Sequence, residues 1–259
     1  ESGMIVHSIA LDFFRNYVHL DARFSPEVNV IYGENAQGKT NLLEAMVYLS
    51  CGKSPRARAD RELIGFDRDK AYILGQMFTR DREFRTEVEL LRGRRRKASV
   101  NGVPAKNNAA LSDVLHTVFF SPEDLNLIKN GPSERRKFID LELCQLNKLY
   151  VHSLVSYNRV LMQRNRLLKE LTFHPEYEET LDVWDMQLVP YGQELIRNRE
   201  DFICQLNELI LGIHRKLSGE KETLRIVYDP NARAEELETA VRQSRTQDLK
   251  QKTTLSGPH

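Results

Sequence analysis

The sequence predicts an α/β protein in which antiparallel strands and one strand–loop–helix unit precede a long helical insertion. Apolar and polar residues alternate in segments 4–24 and 75–101, the period of half-buried strands. Residues 27–32 are β-branched and aromatic and run into a loop with two glycines, after which apolar residues recur at helical spacing. Beyond Gly131-Pro132, apolar residues repeat at helical spacing to about residue 218.

The N-terminal part is predicted to contain an antiparallel β subdomain. Its expected strands are residues 4–11, 17–24, 75–78, 84–91 and 98–101. Residues 92–97, which carry five cations, make the turn between the last two strands. Residues 27–32 are interpreted as a buried strand that leads into the loop.

Residues 33–40 match the phosphate-binding loop pattern G-x-x-x-x-G-K-[ST] without a mismatch. Gly33 and Gly38 let the backbone bend around a phosphate chain, and the loop N–H groups form an anion-binding nest. Lys39 supplies a positive charge for the β- and γ-phosphates, and the Thr40 hydroxyl is suited to bind Mg²⁺. The next helix presents the positive end of its dipole to the same phosphates. The loop therefore predicts binding of a nucleotide with Mg²⁺.

The chain is expected to fall into three parts. Residues 4–122 form the N-terminal part of a nucleotide-binding head, with the loop and the β subdomain. Residues 123–220 form a helical arm domain of two antiparallel helices, and a compact helical bundle is the alternative. Residues 221–259 return to the head through a strand at 223–228 and a helix at 234–250.

Three residues are expected to shape the arm. Ser133 is the expected N-cap of its first helix. Pro175 closes the turn that separates the two long helices, and Pro190 lies within the second helix, where it is able to introduce a kink.

The net charge of +1, with 29% charged residues, gives no indication of DNA binding by the chain as a whole. Any DNA-binding surface must therefore be a local basic cluster. Two basic clusters are the candidates for contact with DNA phosphates: Arg56, Arg58 and Arg61, and the turn residues Arg92, Arg94, Arg95, Arg96 and Lys97. A solvated turn without a partner is the alternative for the second cluster. Aromatic residues do not interleave with either cluster, so contact with duplex or junction backbone is expected rather than base stacking.

No apolar run reaches the length of a membrane span, and the three cysteines lack metal-ligand spacing. The expectation is a cytoplasmic protein with reduced thiols and no membrane association. The seven histidines are scattered without metal-ligand spacing.

An acidic strand that P-loop ATPases use to hold Mg²⁺ is not found in the sequence. No run of four aliphatic residues followed by Asp-Asp or Asp-Glu occurs after the loop. The chain is therefore expected to be part of an ATPase.

Five segments together resemble the RecF family of bacterial recombination mediators, whose ATPase heads are related to those of SMC proteins. The segments are residues 14–17 (FRNY), 33–45 (GENAQGKTNLLEA), 120–125 (FSPEDL), 131–140 (GPSERRKFID) and 255–259 (LSGPH). They span the chain from near its start to its last residue.

The resemblance implies a P-loop ABC-ATPase-type head with a short helical arm, lacking its C-terminal part. It implies a homodimer that closes on ATP when the chain has full length. The dimer binds duplex DNA and single-strand/double-strand junctions at gaps, and acts with RecR and RecO to help load RecA. The signature motif and acidic strand of the family are expected to lie beyond His259. This chain is therefore expected to bind nucleotide weakly, without ATP turnover and without the closed dimer.

The resemblance also implies site residues. The cofactor-binding set comprises Gly33, Glu34, Asn35, Ala36, Gln37, Gly38, Lys39, Thr40, Asn41, Arg15 and Asn16. A turn at the end of a strand is the alternative role of Arg15 and Asn16. Thr40 and Glu123 are implied for Mg²⁺, and a helix cap is the alternative role of Glu123. Two other function classes stay open on the residues alone: a small-molecule P-loop kinase, and a non-catalytic module whose helical arm binds a protein partner.

Overall fold

The computed structural model describes residues 3–79, 82–105 and 108–259, apart from the side chains of Ala109 and Glu123. The chain divides into two compact units, Glu1–Asn126 and Leu127–His259. Within the described residues, no helix is both long and apolar enough to span a membrane.

The first unit is built on a six-stranded antiparallel sheet with the strand order β2-β1-β3-β4-β5-β6. The strands are β1 (Ile5–Phe14), β2 (Tyr17–Arg23), β3 (Lys70–Thr79), β4 (Arg82–Leu91), β5 (Lys97–Val100) and β6 (Val103–Pro104). The strands predicted from alternation are confirmed, although β3 begins at Lys70 rather than at Gly75. Asn101 and Gly102 join β5 to β6 with φ angles of 49° and 77°, the left-handed conformation that a two-residue hairpin requires.

Helix α1 (Lys39–Cys51) covers one face of this sheet and forms the core of the unit. Leu42, Ala45 and Leu49 are buried on the helix, and they pack in one cluster with apolar residues of β1, β3 and β4. Gly75 permits this close approach, since a Cβ there would lie 2.5 Å from Leu49 Cδ1. A short helix, α2 (Ala109–Ser112), follows the sheet.

The predicted buried strand at residues 27–32 is wrong. The segment has no ladder partner, and Val28, Val30 and Tyr32 are 79%, 78% and 89% exposed. β-branched residues favour a strand only when a neighbouring strand supplies hydrogen bonds and packing. Every ladder of the described sheet is antiparallel and none includes this segment, so it remains irregular and exposed.

The second unit is mainly helical. Its helices are α4 (Pro132–Leu146), α5 (Lys148–Glu170), α6 (Leu181–Ser218) and α7 (Leu237–Gln251), and the short helix α3 (Asn126–Lys129) stands at its start. Helices α5 and α6 run antiparallel, since Asn147 bonds to Asn198 while Arg164 bonds to Asp185. The predicted pair of antiparallel helices is thus present, with α4 as a third helix that packs on both.

Two local predictions for this unit are wrong. Gly131, not Ser133, occupies the N-cap of α4, because Pro132 fits the first helical position with its fixed φ. Residues 223–228 do not form a strand. Their backbone is held instead by the Asn207 side chain, which donates to Ile226 O and accepts from Ile226 N, each at 2.8 Å.

The end of the chain packs within the same unit as α5 and α6. Gly257 and Pro258 are buried, and the Asn231 side chain bonds to the backbone of Leu255 and Gly257. The division of the chain at residues 122 and 220 stays a prediction. Pro190 lies inside α6, which continues through it as one helix.

Candidate nucleotide-binding site

Residues 33–40 form a tight loop that ends on the first turn of α1. The backbone takes positive φ angles at Gly33 (147°), Ala36 (64°) and Gly38 (99°), which turns the chain back on itself. No side chain of the described residues caps the start of α1, so the N–H groups of its first two residues, Lys39 and Thr40, remain available to a ligand. A helix N-terminus with free N–H groups and a positive dipole end suits an anion such as phosphate.

Asn16 packs directly against this loop. A Cβ at Gly38 would lie 2.6 Å from Asn16 Oδ1, so glycine is the residue that fits there. The Asn16 Nδ2 donates to the Gln37 carbonyl at 3.2 Å, and the Asn41 Nδ2 donates to Asn16 Oδ1 at 2.8 Å. Two predicted site residues, Asn16 and Asn41, therefore fix the shape of the loop.

Lys39 folds back over the loop. Its Nζ donates to the carbonyl oxygens of Gly33 at 2.8 Å and Glu34 at 2.5 Å. These bonds place the ammonium group at the mouth of the loop. A compact charge in that position can exchange a carbonyl for a phosphate oxygen.

The Thr40 hydroxyl makes no hydrogen bond in the described part of the chain, which leaves it available for a cation. In the same part of the chain, no group of three or more His, Cys, Asp or Glu residues is arranged to hold a metal ion. Glu123 lies in a 3₁₀ turn, Pro122–Leu125, and its side chain lies outside the described residues. A Mg²⁺ ion near Thr40 would therefore depend on phosphate oxygens and water for most of its ligands.

Glu44 is a buried residue beside the candidate site that sequence reasoning missed. It lies on α1, its side chain is fully buried, and it accepts hydrogen bonds from two arginines and a serine. The Glu44 cluster consists of Glu44, Arg15, Arg56 and Ser54. A carboxylate on the buried face of an amphipathic helix was the available signal, since such a group needs cationic partners.

Arg15 is held by Glu44 through two parallel bonds. Its Nε and Nη2 donate to the two carboxylate oxygens at 2.9 and 2.7 Å, and its Nη1 donates to the Glu62 carbonyl at 2.9 Å. This bidentate geometry is the strong form of an arginine–carboxylate pair. The guanidinium group of Arg15 is therefore fixed next to α1 in this structure.

Arg56 joins the same cluster from the loop that follows α1. Its Nη1 donates to Asn41 Oδ1 at 3.0 Å and lies 3.5 Å from Glu44 Oε2. The Ser54 hydroxyl donates to Glu44 at 2.5 Å and accepts from the N–H groups of Arg56 and Ala57. A continuous set of hydrogen bonds thus joins this loop to Asn41, Asn16 and the phosphate loop.

The predicted DNA-contacting residues differ in their surroundings. Arg96 is mostly buried and donates to Tyr48 Oη at 2.6 Å, to the Gly52 carbonyl at 2.5 Å, and to Asn108. Burial raises the pKa of Tyr48, so this tyrosine acts as a neutral hydrogen-bond partner. Lys97 pairs with Glu89 at 3.2 Å, and Arg92 Nε donates to the Arg68 carbonyl.

The remaining basic residues of the two clusters, Arg58, Arg61, Arg94 and Arg95, are exposed.

A family model described as an AAA domain matches residues 8–255 of the chain. The chain is also similar to curated proteins named DNA replication and repair protein RecF. The one from Lachnospira eligens is 46% identical over 258 residues, which cover 99% of this chain and 71% of that protein. The one from Clostridium perfringens is 37% identical over 261 residues, with coverages of 99% and 72%.

The fold is similar to solved structures of the recombination mediator protein RecF in the RecFOR pathway. The RecF-ATP structure matches with a TM-score of 0.92 and 34% sequence identity, and the match covers 100% of this chain and 72% of that chain. A second such structure matches with a TM-score of 0.93 at the same identity. These matches confirm the predicted fold class, an α/β ABC-type ATPase head with an antiparallel sheet.

Proposed function

Because the chain belongs to the RecF family, we propose that it binds ATP at residues 33–40 and acts as a recombination mediator in DNA repair. The observation that supports ATP binding best is the loop itself, in which three residues with positive φ lead into the uncapped N-terminus of α1. Asn16 and Asn41 hold this loop in shape, so little reorganisation is needed on binding.

The residues of the site suit ATP with Mg²⁺. Gly33 has open space where a Cβ would lie, and a Cβ at Gly38 would collide with Asn16, so neither end of the loop carries a side chain. We propose that Lys39 contacts the β- and γ-phosphates and that Thr40 binds Mg²⁺, with Glu34, Asn35, Ala36 and Gln37 lining the loop. Bound Mg²⁺ would neutralise phosphate charge.

Contact with DNA is proposed for the exposed cations Arg58, Arg61, Arg92 and Arg94. Arg56 and Arg96, which are bonded within the unit, are proposed to hold the loops that carry them. We expect Arg58→Glu to weaken binding of a gapped duplex by about tenfold, and each lost phosphate contact to reduce the slope of log affinity against log salt by about 0.9. Arg166→Glu, an exposed charge of the second unit, is the control.

The wider role is proposed from the family. The assignment includes closure of two copies on ATP, binding at single-strand/double-strand junctions, cooperation with RecO and RecR, and support of RecA loading in the cytoplasm. We propose further that this chain alone does not turn over ATP, because no aliphatic segment ending in Asp-Asp or Asp-Glu follows the loop. ATP turnover clearly above that of a Lys39→Ala variant would contradict this.

Calorimetry with MgATP on the chain and its Lys39→Ala variant tests the proposal. We expect saturable binding by the parent chain and at least tenfold weaker binding by the variant, since the variant lacks the charge at the loop mouth. Lys53→Ala, an exposed lysine after α1, is the matched control and should bind like the parent. Equal binding by parent and Lys39→Ala would overturn the assignment of the loop.

A P-loop kinase is a function from another class that can be separated by measuring nucleotide binding and turnover with duplex DNA or with a small phosphoryl acceptor added. If a small phosphoryl acceptor stimulated nucleotide binding or turnover while duplex DNA did not, a kinase function would replace the proposed recombination-mediator function. Indifference to both would favour a partner-binding module.

A further inference from the structure

Helix α6 extends well beyond the helix that covers it. Helix α5 begins at Lys148, and its N-cap residue Asn147 bonds to Asn198, so the pairing of the two helices ends there. Helix α6 continues to Ser218, about 30 Å further at 1.5 Å per residue. Part of this extension is covered by α4, whose Asp140 pairs with Arg199 at 2.8 Å.

The last three turns of α6 carry an apolar face that nothing in the described chain covers. Leu209, Ile213 and Leu217 are 67%, 59% and 81% exposed. Their four-residue spacing puts them on one side of the helix. They continue the side on which Leu188 and Leu195 are buried against α5. Exposed large apolar residues in such a row are typical of an interaction surface.

The neighbouring flank of the same helix carries charges and a glycine at matching positions. Glu208, Gly212 and Lys216 each precede one of the three apolar residues, and neither charge makes an ion pair within the described chain. A glycine in a helix interior is less favourable than an alanine. An added Cβ there would meet nothing within 4 Å, so packing within the chain does not explain the glycine.

This pattern is self-complementary. When two such helices pack antiparallel about a two-fold axis at Gly212, Glu208 of each copy faces Lys216 of the other, and the two apolar rows interdigitate. Gly212 then lies at the crossing, where the absence of a side chain allows close backbone approach. Opposite charges at symmetric positions are the usual way in which antiparallel helices select register and orientation.

The other flank of this segment is already occupied. Residues 219–228 return along α6, with Asn207 bonded to Ile226 and His214 lying 3.7 Å from Glu222. A partner is therefore restricted to the apolar face and the flank with Glu208 and Lys216. We propose that this face, the α6 tip (Glu208, Leu209, Gly212, Ile213, Lys216 and Leu217), pairs with the α6 tip of a second copy of this chain.

The pairing needs no nucleotide, so its test is independent of the proposed ATP site. Sedimentation equilibrium of the nucleotide-free chain is expected to show a reversible monomer–dimer equilibrium at concentrations up to the order of 100 µM, as fits a small interface. Ile213→Asp should weaken the dimer at least tenfold, because it places a charge in the apolar row. Circular dichroism would verify that this variant keeps its helix content.

Charge reversal distinguishes a specific pairing of two α6 tips from nonspecific association. Glu208→Lys and Lys216→Glu should each weaken the dimer about threefold to tenfold, since each creates two like-charge contacts per dimer. The double reversal should restore the parent affinity within about twofold, because the pairs are again opposite. Glu200→Lys, the same charge change at an exposed position of α6 outside the α6 tip, is the control and should have no effect.

Three outcomes would overturn the proposal. A chain that stays monomeric over this range lacks the contact altogether. A dimer that Ile213→Asp leaves unchanged uses another surface. A double reversal that remains as weak as the single variants excludes the antiparallel register about Gly212.

Discussion

The two units organise buried arginine–carboxylate pairs in contrasting ways. In the first unit, the Glu44 cluster keeps its carboxylate fully buried, but Arg15 and Arg56 are 22% and 32% exposed. In the second unit, the Arg164 cluster (Arg164, Asp185, Asp248 and Thr254) is closed to solvent, and Arg164 is fully buried. Arg164 donates to Asp185 at 2.6 Å and to Asp248 and Thr254 at 2.8 Å.

The difference separates a cluster whose arginines solvent can reach from a cluster that the chain itself encloses. Arg15 and Arg56 of the Glu44 cluster stay partly exposed, and Arg56 is joined through Asn41 and Asn16 to the phosphate loop. The Arg164 cluster joins α5, α6 and α7 to the last residues of the chain, and acceptors within the unit bind Arg164 Nε and Nη1. The buried Nη2 has no hydrogen-bond partner in the described chain. Replacing one partner of a closed cluster leaves a buried charge uncompensated, whereas solvent relieves part of that cost in an open one.

The largest expected effect is the loss of Arg164. Arg164→Met keeps the volume but leaves Asp248 without its cation, and it should lower the free energy of unfolding by about 3–5 kcal/mol. Urea unfolding followed by the fluorescence of Trp184, the one tryptophan, reports on this unit. Arg166→Met, which removes an exposed pair with Glu170 on the same helix, should change stability by under about 0.5 kcal/mol. Equal changes in the free energy of unfolding for Arg164→Met and Arg166→Met would show that the closed cluster contributes no more than an exposed ion pair.

Overpacking at the end of the chain is expected to have the next largest effect. In Gly257→Ala, the added Cβ would lie 2.2 Å from Tyr157 Oη, so the segment must move at a cost of about 1–3 kcal/mol. Combination with Tyr157→Phe removes the clashing hydroxyl and should recover part of the loss. Additive effects of the two substitutions in urea unfolding would show that this contact does not confine the segment.

Glu44→Gln tests how much the partly exposed Glu44 cluster contributes to stability and to the nucleotide site. The amide keeps the shape but leaves Arg15 and Arg56 without a counter-charge, which should cost about 1–3 kcal/mol in scanning calorimetry. We also expect weaker MgATP binding, by about tenfold or less, because Asn41 and the loop after α1 lose their support. Glu27→Gln, an exposed carboxylate, is the control. Unchanged ATP affinity in a folded Glu44→Gln variant would show that the cluster does not support the site.

The smallest expected effect is a pH dependence that arises from His259. Its Nε2 donates to the Thr254 carbonyl at 2.9 Å, so its Nδ1 accepts from Tyr157 Oη at 2.8 Å, and burial lowers the pKa of the ring below 6.5. Between the lowered and the ordinary pKa, the unfolded chain binds more protons. Stability should therefore be complete above pH 6.5 and should fall as the pH drops below it. His259→Gln should flatten the dependence of the urea midpoint over this range, and a persisting slope would assign it to another group.

The sequence predicted those elements whose stabilising contacts are near in the chain or repeat regularly. Alternation located β1, β2 and β4, since each pairs with a neighbour that shows the same pattern. The phosphate-binding loop was recognisable because its glycines and lysine act through their own backbone and charge. Helices α5 and α6 were located by their apolar residues, which repeat regularly at helical spacing.

Errors occurred where a long-range partner decides the outcome. Residues 27–32 and 223–228 have strand-forming composition, yet neither joins a ladder. Glu44 was missed because its partners Arg15 and Arg56 lie 29 and 12 residues away. The buried environment of Arg96, which depends on Tyr48 and Gly52, was equally invisible within its basic run.

The two hydrogen bonds between the Asn207 side chain and the Ile226 backbone make hydrogen–deuterium exchange at Ile226 a probe of this segment. The Ile226 N–H is bonded to a side chain in a segment without secondary structure, so its exchange with deuterated solvent should be slow while exchange at the exposed residues beside it is fast. One slowly exchanging amide then records whether residues 219–228 remain on α6. Any ligand or partner that lifts this segment would be detected as a loss of protection at a single peptide group.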